Sequence, residues 1–297
     1  MPVIGDPVGL TVDRILLATD FSPASEAASA YAKGLAKRFS STVTLANVIE
    51  TSTAARPEDS SIAVSNHDQQ RTSSQNLERI LADLTFEGVR AMAHELEGRN
   101  PAASIVGLAD NIQADLIVTG THSRSGFTKA VLGSCAEGII RHAKCPVLTV
   151  GPHARKPPQG AFSFSTIIFA TDFSADAARK ASVALAFAQD NTAKIYLCHI
   201  LEHPGRDVAQ TLEQQLKFEA ALHKLIPQST YDWCSPECRI EHGSVAPHLV
   251  EMANLLHADL IVLGARRSAS WFAHLVDGVV AQVLAAAPCP VMTISST

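Results

Sequence analysis

Two segments of the 297-residue chain place glycines, hydroxyls and charges at spacings suited to holding an anion. The first is Thr19-Asp20, directly after the apolar run Ile15 to Ala18. The second is GTHSRSGFTKAVLGSCAEG, which carries Gly120, Gly133, Ser134 and Glu137 with Arg124 and Lys129 between them. Ser134-x-x-Glu137 ahead of Ile139 and Ile140 has the form of a capping box, so a helix is predicted to begin at that serine. A helix N-terminus approached through glycine offers bare main-chain N–H groups and the positive end of the helix dipole, which favours phosphate. Arg124 and Lys129 would add charge. The competing reading is that Gly120 and Gly133 only permit tight turns.

The elements that must position these residues are written twice. RILLATDFS at 14–22 returns as TIIFATDFS at 166–174, ADLIVTG at 114–120 as ADLIVLG at 258–264, and CPVLTV at 145–150 as CPVMTI at 289–294. The spacing between copies falls from 152 residues at the front to 144 at the back, so the second copy is shorter after its second strand. Repeats of this length are domains, not solenoid units. Two are expected, at 1–152 and 163–297, with GPHARKPPQGAFS (151–163) reading as an exposed linker from its prolines, glycines and basic residues.

Within each copy, short apolar runs alternate with stretches of helical period. In the first, Ile15 to Ala18 reads as a strand. Ser22 with Pro23 reads as an N-cap followed by the first helical residue, opening a helix to about Phe39. Val43 to Ile49 is a second strand, and Leu77, Ile80, Leu81 and Leu84 mark a helix face. Residues 89–96 form a third strand, and after Pro101 the residues Ile105, Leu108, Ala109 and Ile112 repeat at helical spacing before a fourth strand, Leu116 to Thr119. A last helix and strand complete five strands and four helices. In the second copy the helix faces fall at Leu212 and Leu216, then at Leu249, Met252, Ala253 and Leu256. Right-handed crossovers then give an α/β fold of two tandem doubly wound domains. Each has a five-stranded parallel sheet flanked by helices, with a crevice at the carboxyl ends of its strands where both anion-suited segments lie.

Composition narrows the function classes. Apolar residues make up 46% of the chain and charged residues 18%, as in soluble globular proteins. The net charge of −5, without long runs of one sign, gives no footprint for nucleic acid. No apolar run approaches the roughly 18–20 residues of a membrane span, and the opening segment has no basic region followed by an apolar one, so neither membrane nor secretion is expected. Six cysteines, mostly within apolar segments, suit a reduced bacterial-type cytoplasm. Cys234, Cys238 and His242, with His199 or His203, have the residue types of a zinc site, but without a second matched pair the spacing is weak and packing is the stronger reading. Cys145 and Cys289 read as buried packing before each last strand. There is no Gly-x-x-x-x-Gly-Lys-Ser/Thr loop, Gly-x-Ser-x-Gly elbow or His-Glu-x-x-His, so no catalytic residue is assigned and any ATP turnover is expected to be slow and incidental.

Taken together, ATDFS, DLIVTGTHSRSG, LGSCAE and CPVLTV resemble the universal stress protein family over nearly the whole chain, as two tandem family domains. The nucleotide-binding members carry Gly-x-x-Gly, nine residues, then Gly and Ser or Thr. The resemblance implies that Asp20, after Thr19, contacts ribose or adenine and that Val48 lines an adenine pocket. It implies that Gly120, His122, Gly133 and Ser134 hold phosphates, with Mg accompanying ATP. Ser123 stands where the family has its second glycine. Its Cβ disfavours a positive φ by roughly 1 kcal/mol and crowds a phosphate, while its hydroxyl offers a donor.

In the second copy, Gly120, His122, Ser123, Gly133 and Ser134 align with Gly264, Arg266, Arg267, Asp277 and Gly278. Asp277 would satisfy the helix N-terminus itself and repel a triphosphate, with Arg266 or Arg267 facing it. Asp172 repeats Asp20, and both read equally well as ties within the strand-to-helix turn. The expectation is a stress-response regulator that binds adenine nucleotide weakly in its first domain only; the alternative is a nucleotide-free interaction scaffold of the same family. The resemblance also implies pairing of CPVLTV with CPVMTI about a pseudo-twofold axis, association of whole chains as a homodimer, and protein partners that the sequence does not identify.

Overall fold

The computed structural model describes residues 11–51, 60–121, 132–157, 162–203, 205, 207–265 and 278–296, with the backbone alone for 60–69. The first half runs β1 (Arg14–Ala18), α1 (Pro23–Phe39), β2 (Thr42–Glu50), α2 (Ser60–Phe86), β3 (Arg90–Gly98), α3 (Pro101–Asn111), β4 (Leu116–Gly120), α4 (Ser134–His142) and β5 (Val147–Val150). The second repeats it as β6 (Thr166–Ala170), α5 (Ala177–Asn191), β7 (Lys194–Leu201), α6 (Val208–His223), β8 (Glu237–His242), α7 (Val245–Leu255), β9 (Leu260–Ala265), α8 (Gly278–Ala286) and β10 (Val291–Ser295). The expected five strands and four helices are present in each half.

Both halves share one ten-stranded sheet, ordered β3-β2-β1-β4-β5-β10-β9-β6-β7-β8. Every neighbouring pair is parallel except β5 and β10. These meet antiparallel, with Val147 opposite Thr293, Leu148 opposite Met292 and Thr149 opposite Val291. The short apolar strands are buried on both sides, as parallel sheets require. On β1, Ile15 and Leu17 pack in the core shared with α1, α2, α5 and α6, while Leu16 and Ala18 pack in the core shared with α3, α4, α7 and α8.

Local signals set the helix ends. Ser22 caps α1, its side chain accepting from the Ser25 N–H at 3.3 Å, and Pro23 is the first helical residue. Asn100 caps α3 in the same way at 3.1 Å. The capping box expected at Ser134 does not form. Gly133 is the cap residue, and the helix begins one residue earlier than the box requires. Glu137 pairs forward with Arg141 at 2.7 Å.

Two other expectations are corrected. Leu212 and Leu216 do not face the core: they are 55% and 58% exposed, and α6 turns Phe218 and Leu222 inward instead. The segment after β5 is not simply exposed, because its one arginine and its phenylalanine find partners. The Tyr31 hydroxyl donates to the Arg155 carbonyl at 2.6 Å, and Phe162, 8% exposed, packs edge-on to Tyr31 and Phe164. Burial pushes the Tyr31 hydroxyl up, so it remains a donor. Across the seam, Phe39 of α1 meets Phe187 of α5 at 5.9 Å.

Gly34 is the contact point for this strap, since a Cβ there would lie 2.5 Å from the Phe162 ring. Gly34→Ala should therefore lower the urea midpoint despite the roughly 1 kcal/mol gain in helix propensity, because overpacking costs about 1–3 kcal/mol. In a Phe162→Ala background the same change should become neutral or stabilising.

Candidate functional site

The first cleft is built where β1 and β4 end. Thr19, buried, holds the turn by a chain of bonds. Its N–H donates to the Ala46 carbonyl at 2.9 Å, its Oγ1 accepts from the Phe21 N–H at 3.1 Å, and its carbonyl accepts from Asn47 Nδ2 at 2.8 Å. Ser73 of α2 donates to Asn47 Oδ1 at 2.9 Å, completing a buried polar network. The turn drives Phe21 to φ 61°, left-handed backbone that is rare for a phenylalanine. Asp20 is exposed, and its Oδ1 accepts from the Ser22 N–H at 3.1 Å and the Ser22 hydroxyl at 2.6 Å.

Opposite this turn, Gly120 ends β4 against the start of α1. A Cβ there would lie 2.5 Å from the Ala24 carbonyl carbon and oxygen, so glycine is required for packing whatever binds above it. Gly133 caps α4 with φ −64° and ψ 144° and has no side chain to offer, which leaves the helix-start N–H groups as the local donors. Ser134 is exposed at the first helical position, and Val48 is half-buried on β2. His122, Ser123, Arg124 and Lys129 lie outside the described residues.

Cys135, in the first turn of α4, is a cleft residue that the sequence reading did not single out. Burial pushes its thiol up to about 11, and the Asp20 and Glu50 carboxylates add to the effect. The only sequence signal was its place in Gly133-Ser134-Cys135.

The second half keeps the turn and changes the floor. Phe173 N–H donates to Thr171 Oγ1 at 3.0 Å, Ser174 N–H donates to Asp172 Oδ1 at 3.0 Å, and Phe173 has φ 54°. The aspartate in both copies therefore ties its own turn. His199 replaces Asn47, its Nδ1 donating to the Thr171 carbonyl at 2.8 Å, and its ring sits among Phe173 and Phe218 at 4.8 and 4.5 Å.

Below this, Lys180, 3% exposed, crosses Gly264, the counterpart of Gly120: a Cβ on that glycine would lie 2.7 Å from Lys180 Nζ. Lys180 Nζ pairs with Asp176 Oδ1 at 2.9 Å and donates to Ser296 Oγ at 3.2 Å and Ser174 Oγ at 3.4 Å. Burial pushes the Asp176 carboxyl up, but hydrogen bonds from Lys180 and Ser174 outweigh it and hold the group below the usual range. The first-half counterparts of Asp176 and Lys180 are Ala24 and Ala28. The chain also enters the helix differently, since α5 begins at Ala177, the counterpart of Ser25, two residues later than α1. Arg266, Arg267 and Asp277, expected to close this cleft, lie outside the described residues.

The remaining candidates disperse. Cys234 Sγ contacts the Ala193 carbonyl at 3.4 Å, Cys238 packs partly buried against the core, and His242 and His203 are exposed. Among the described residues no group of three or more His, Cys, Asp or Glu is placed to hold a metal, and no helix is long and apolar enough to cross a membrane. Cys289 is buried and Cys145 half-buried, each pushed up to about 12 by burial.

The fold is thus a doubly wound α/β sheet with one cleft of main-chain donors and a second cleft floored by an ion pair. The universal stress protein family model matches residues 11–151 and 163–295, and the chain belongs to that family as a tandem of two domains. A universal stress protein of Methanocaldococcus jannaschii is 33% identical over 138 residues, 46% of this chain and 81% of that protein. A Staphylococcus aureus USA300 protein named for the same family is 35% identical over 146 residues, 48% of this chain and 85% of that one. A crystal structure of a universal stress protein from Archaeoglobus fulgidus shares the fold with TM-score 0.71 at 20% identity, covering 96% of this chain and 97% of that one. A protein of unknown function from Pseudomonas aeruginosa PAO1 does so with TM-score 0.61 at 16% identity, covering 96% and 92%.

Two measurements follow from the clefts. Lys180→Met removes the closest partner of Asp176, leaving Arg179 at 3.7 Å and the Ser174 hydroxyl at 3.0 Å, and should cost about 1–3 kcal/mol in chemical denaturation, whereas Asp176→Ala/Lys180→Ala, which copies the first half, should recover most of it. Peptide mapping after iodoacetamide treatment should show Cys135 slow to react at pH 8. With its thiol two units above the ordinary 9.0, about a hundred-fold less thiolate is present, and the rate should climb roughly ten-fold per pH unit up to about 11.

Proposed function

We propose that this protein is a non-catalytic stress-response regulator of the cytoplasm whose first half binds ATP or another adenine nucleotide weakly and whose second half binds none. The carrying observation is the contrast between the two floors: helix backbone at Ala24 against Gly120, with a side-chain-free cap at Gly133, in the first half, and a buried lysine laid over Gly264 in the second. The first-half residues suit a phosphate group. Gly133 brings N–H donors without a competing side chain, Ser134 adds an exposed hydroxyl, and Gly120 keeps the strand end low. Mg accompanying ATP would offset phosphate charge beside Asp20 and Glu50. The Asp20 carboxylate already accepts two bonds from Ser22, which suits a positioning role better than proton transfer and supports the absence of turnover.

One observation favours a second reading. Ser123 in place of a glycine, with Asp20 tied in the same way as Asp172, suits a nucleotide-free scaffold.

Calorimetry of the full chain with Mg-ATP distinguishes the two. One site per chain is expected. Gly133→Asp, which writes the second half's residue into the first, should weaken it at least ten-fold, about 1.4 kcal/mol. Absence of heat at millimolar ATP, or two sites per chain, overturns the proposal.

A further inference from the structure

We infer that a depression beneath the first half is a receptor for an arginine side chain carried by another protein. The depression has a volume of about 420 Å3 and is lined by Arg14, Asp110, Gln113, Asp115, Lys144 and Cys145, so it lies at the amino-terminal ends of the strands, opposite the nucleotide cleft.

The second half shows what these positions hold. At their repeat counterparts Arg155, from the strap after β5, lies exposed across the surface and donates to two main-chain carbonyls. Arg155 Nη2 donates to the Ala258 carbonyl at 2.9 Å, Nε donates to the Pro288 carbonyl at 3.1 Å, and the Arg155 N–H donates to Pro288 again at 2.9 Å. Ala258 and Pro288 correspond to Ala114 and Lys144. In the first half no described group donates to the carbonyls of Ala114 or Lys144, so the same two acceptors stand open at the rim of the cavity.

Two separated carbonyls suit a planar guanidinium, which donates from Nε and Nη2 in different directions, better than an ammonium, which acts as a point charge. The charged groups facing the cavity are balanced. Asp110 is paired with Lys144 at 2.7 Å, and Asp115 is paired more loosely with Arg14 at 3.4 Å. Asp115 also accepts from the Asp13 and Arg14 N–H groups, as Asp259 does from Ser165 and Thr166 beside Arg155. The second half has Thr166 where the first has Arg14, so Arg14 is the one resident cation an incoming guanidinium must push aside at Asp115. Arg155 is already held by Tyr31 and the second half, so it is not the arginine received here.

The test uses the full chain and a synthetic peptide of residues 151–157, with its Arg155→Ala counterpart, followed by amide NMR. Expected are saturable shifts at Ala114, Asp115, Lys144 and Cys145, binding at least ten-fold weaker for the alanine peptide, and several-fold tighter binding to an Arg14→Thr variant. No shift at millimolar peptide, equal shifts with both peptides, shifts confined to Ala258 and Pro288, or loss of binding in Arg14→Thr overturns the inference. A chain dimer in sedimentation that the peptide disperses overturns the assignment to another protein.

Discussion

The antiparallel seam between β5 and β10 is the constraint on which the rest of the molecule depends. Each half, taken alone, would end in a short, flat, apolar strand with a row of unpaired backbone groups, the kind of edge that recruits other chains. Three residue pairs in register close both edges at once. So short a ladder needs support. It comes from Thr293 and Ser295, whose hydroxyls reach the Val147 and Ile140 carbonyls, from Phe39 against Phe187, and from the strap that ties Tyr31 to Arg155 and Arg155 to the second half.

With the frame fixed, the two halves conserve what the fold needs and diverge where a ligand would sit. The threonine and aspartate turn is the same in both because it satisfies backbone donors at a left-handed residue. The space below it is not. In the first half α1 comes down onto Gly120 with its own backbone; in the second the helix starts later, and a lysine and aspartate pair fills the gap. Breaking a buried pair is costly, whereas replacing both members by apolar residues is commonly tolerated, and the alanines of the first half are the tolerated form.

Much of this was legible in the sequence, for identifiable reasons. Strands such as Leu116 to Gly120 are continuous apolar runs, and Ser22-Pro23 is a strong local start signal, so element order and topology followed. The readings that failed depended on direction or tertiary contact. Leu212 and Leu216 have helical spacing, but spacing does not say which stripe meets the sheet, and Phe218 and Leu222 won that place. The helix opens at Ser134 as expected, but Ser134 is its first residue and Gly133 its cap, so the capping pattern misassigned that role. The strap is exposed at Pro152, His153, Arg155 and Lys156, as its prolines and charges implied, but its ties were missed because neither Arg155's carbonyl partners nor the ring seat at Gly34 has a local signature. The pair at Asp176 and Lys180 was in plain view against Ala24 and Ala28, yet only the fold shows that the lysine reaches Gly264.

Because the halves join through their equivalent last strands across an antiparallel seam, strands that run upward in one run downward in the other. The mouth of the first cleft therefore shares its rim with the strap-covered base of the second half, while the plugged cleft shares the opposite rim with the Arg14 and Lys144 hollow. The two mouths therefore open at opposite poles of the molecule, so one small molecule does not bridge them, and whatever approaches one pole leaves the other uncovered.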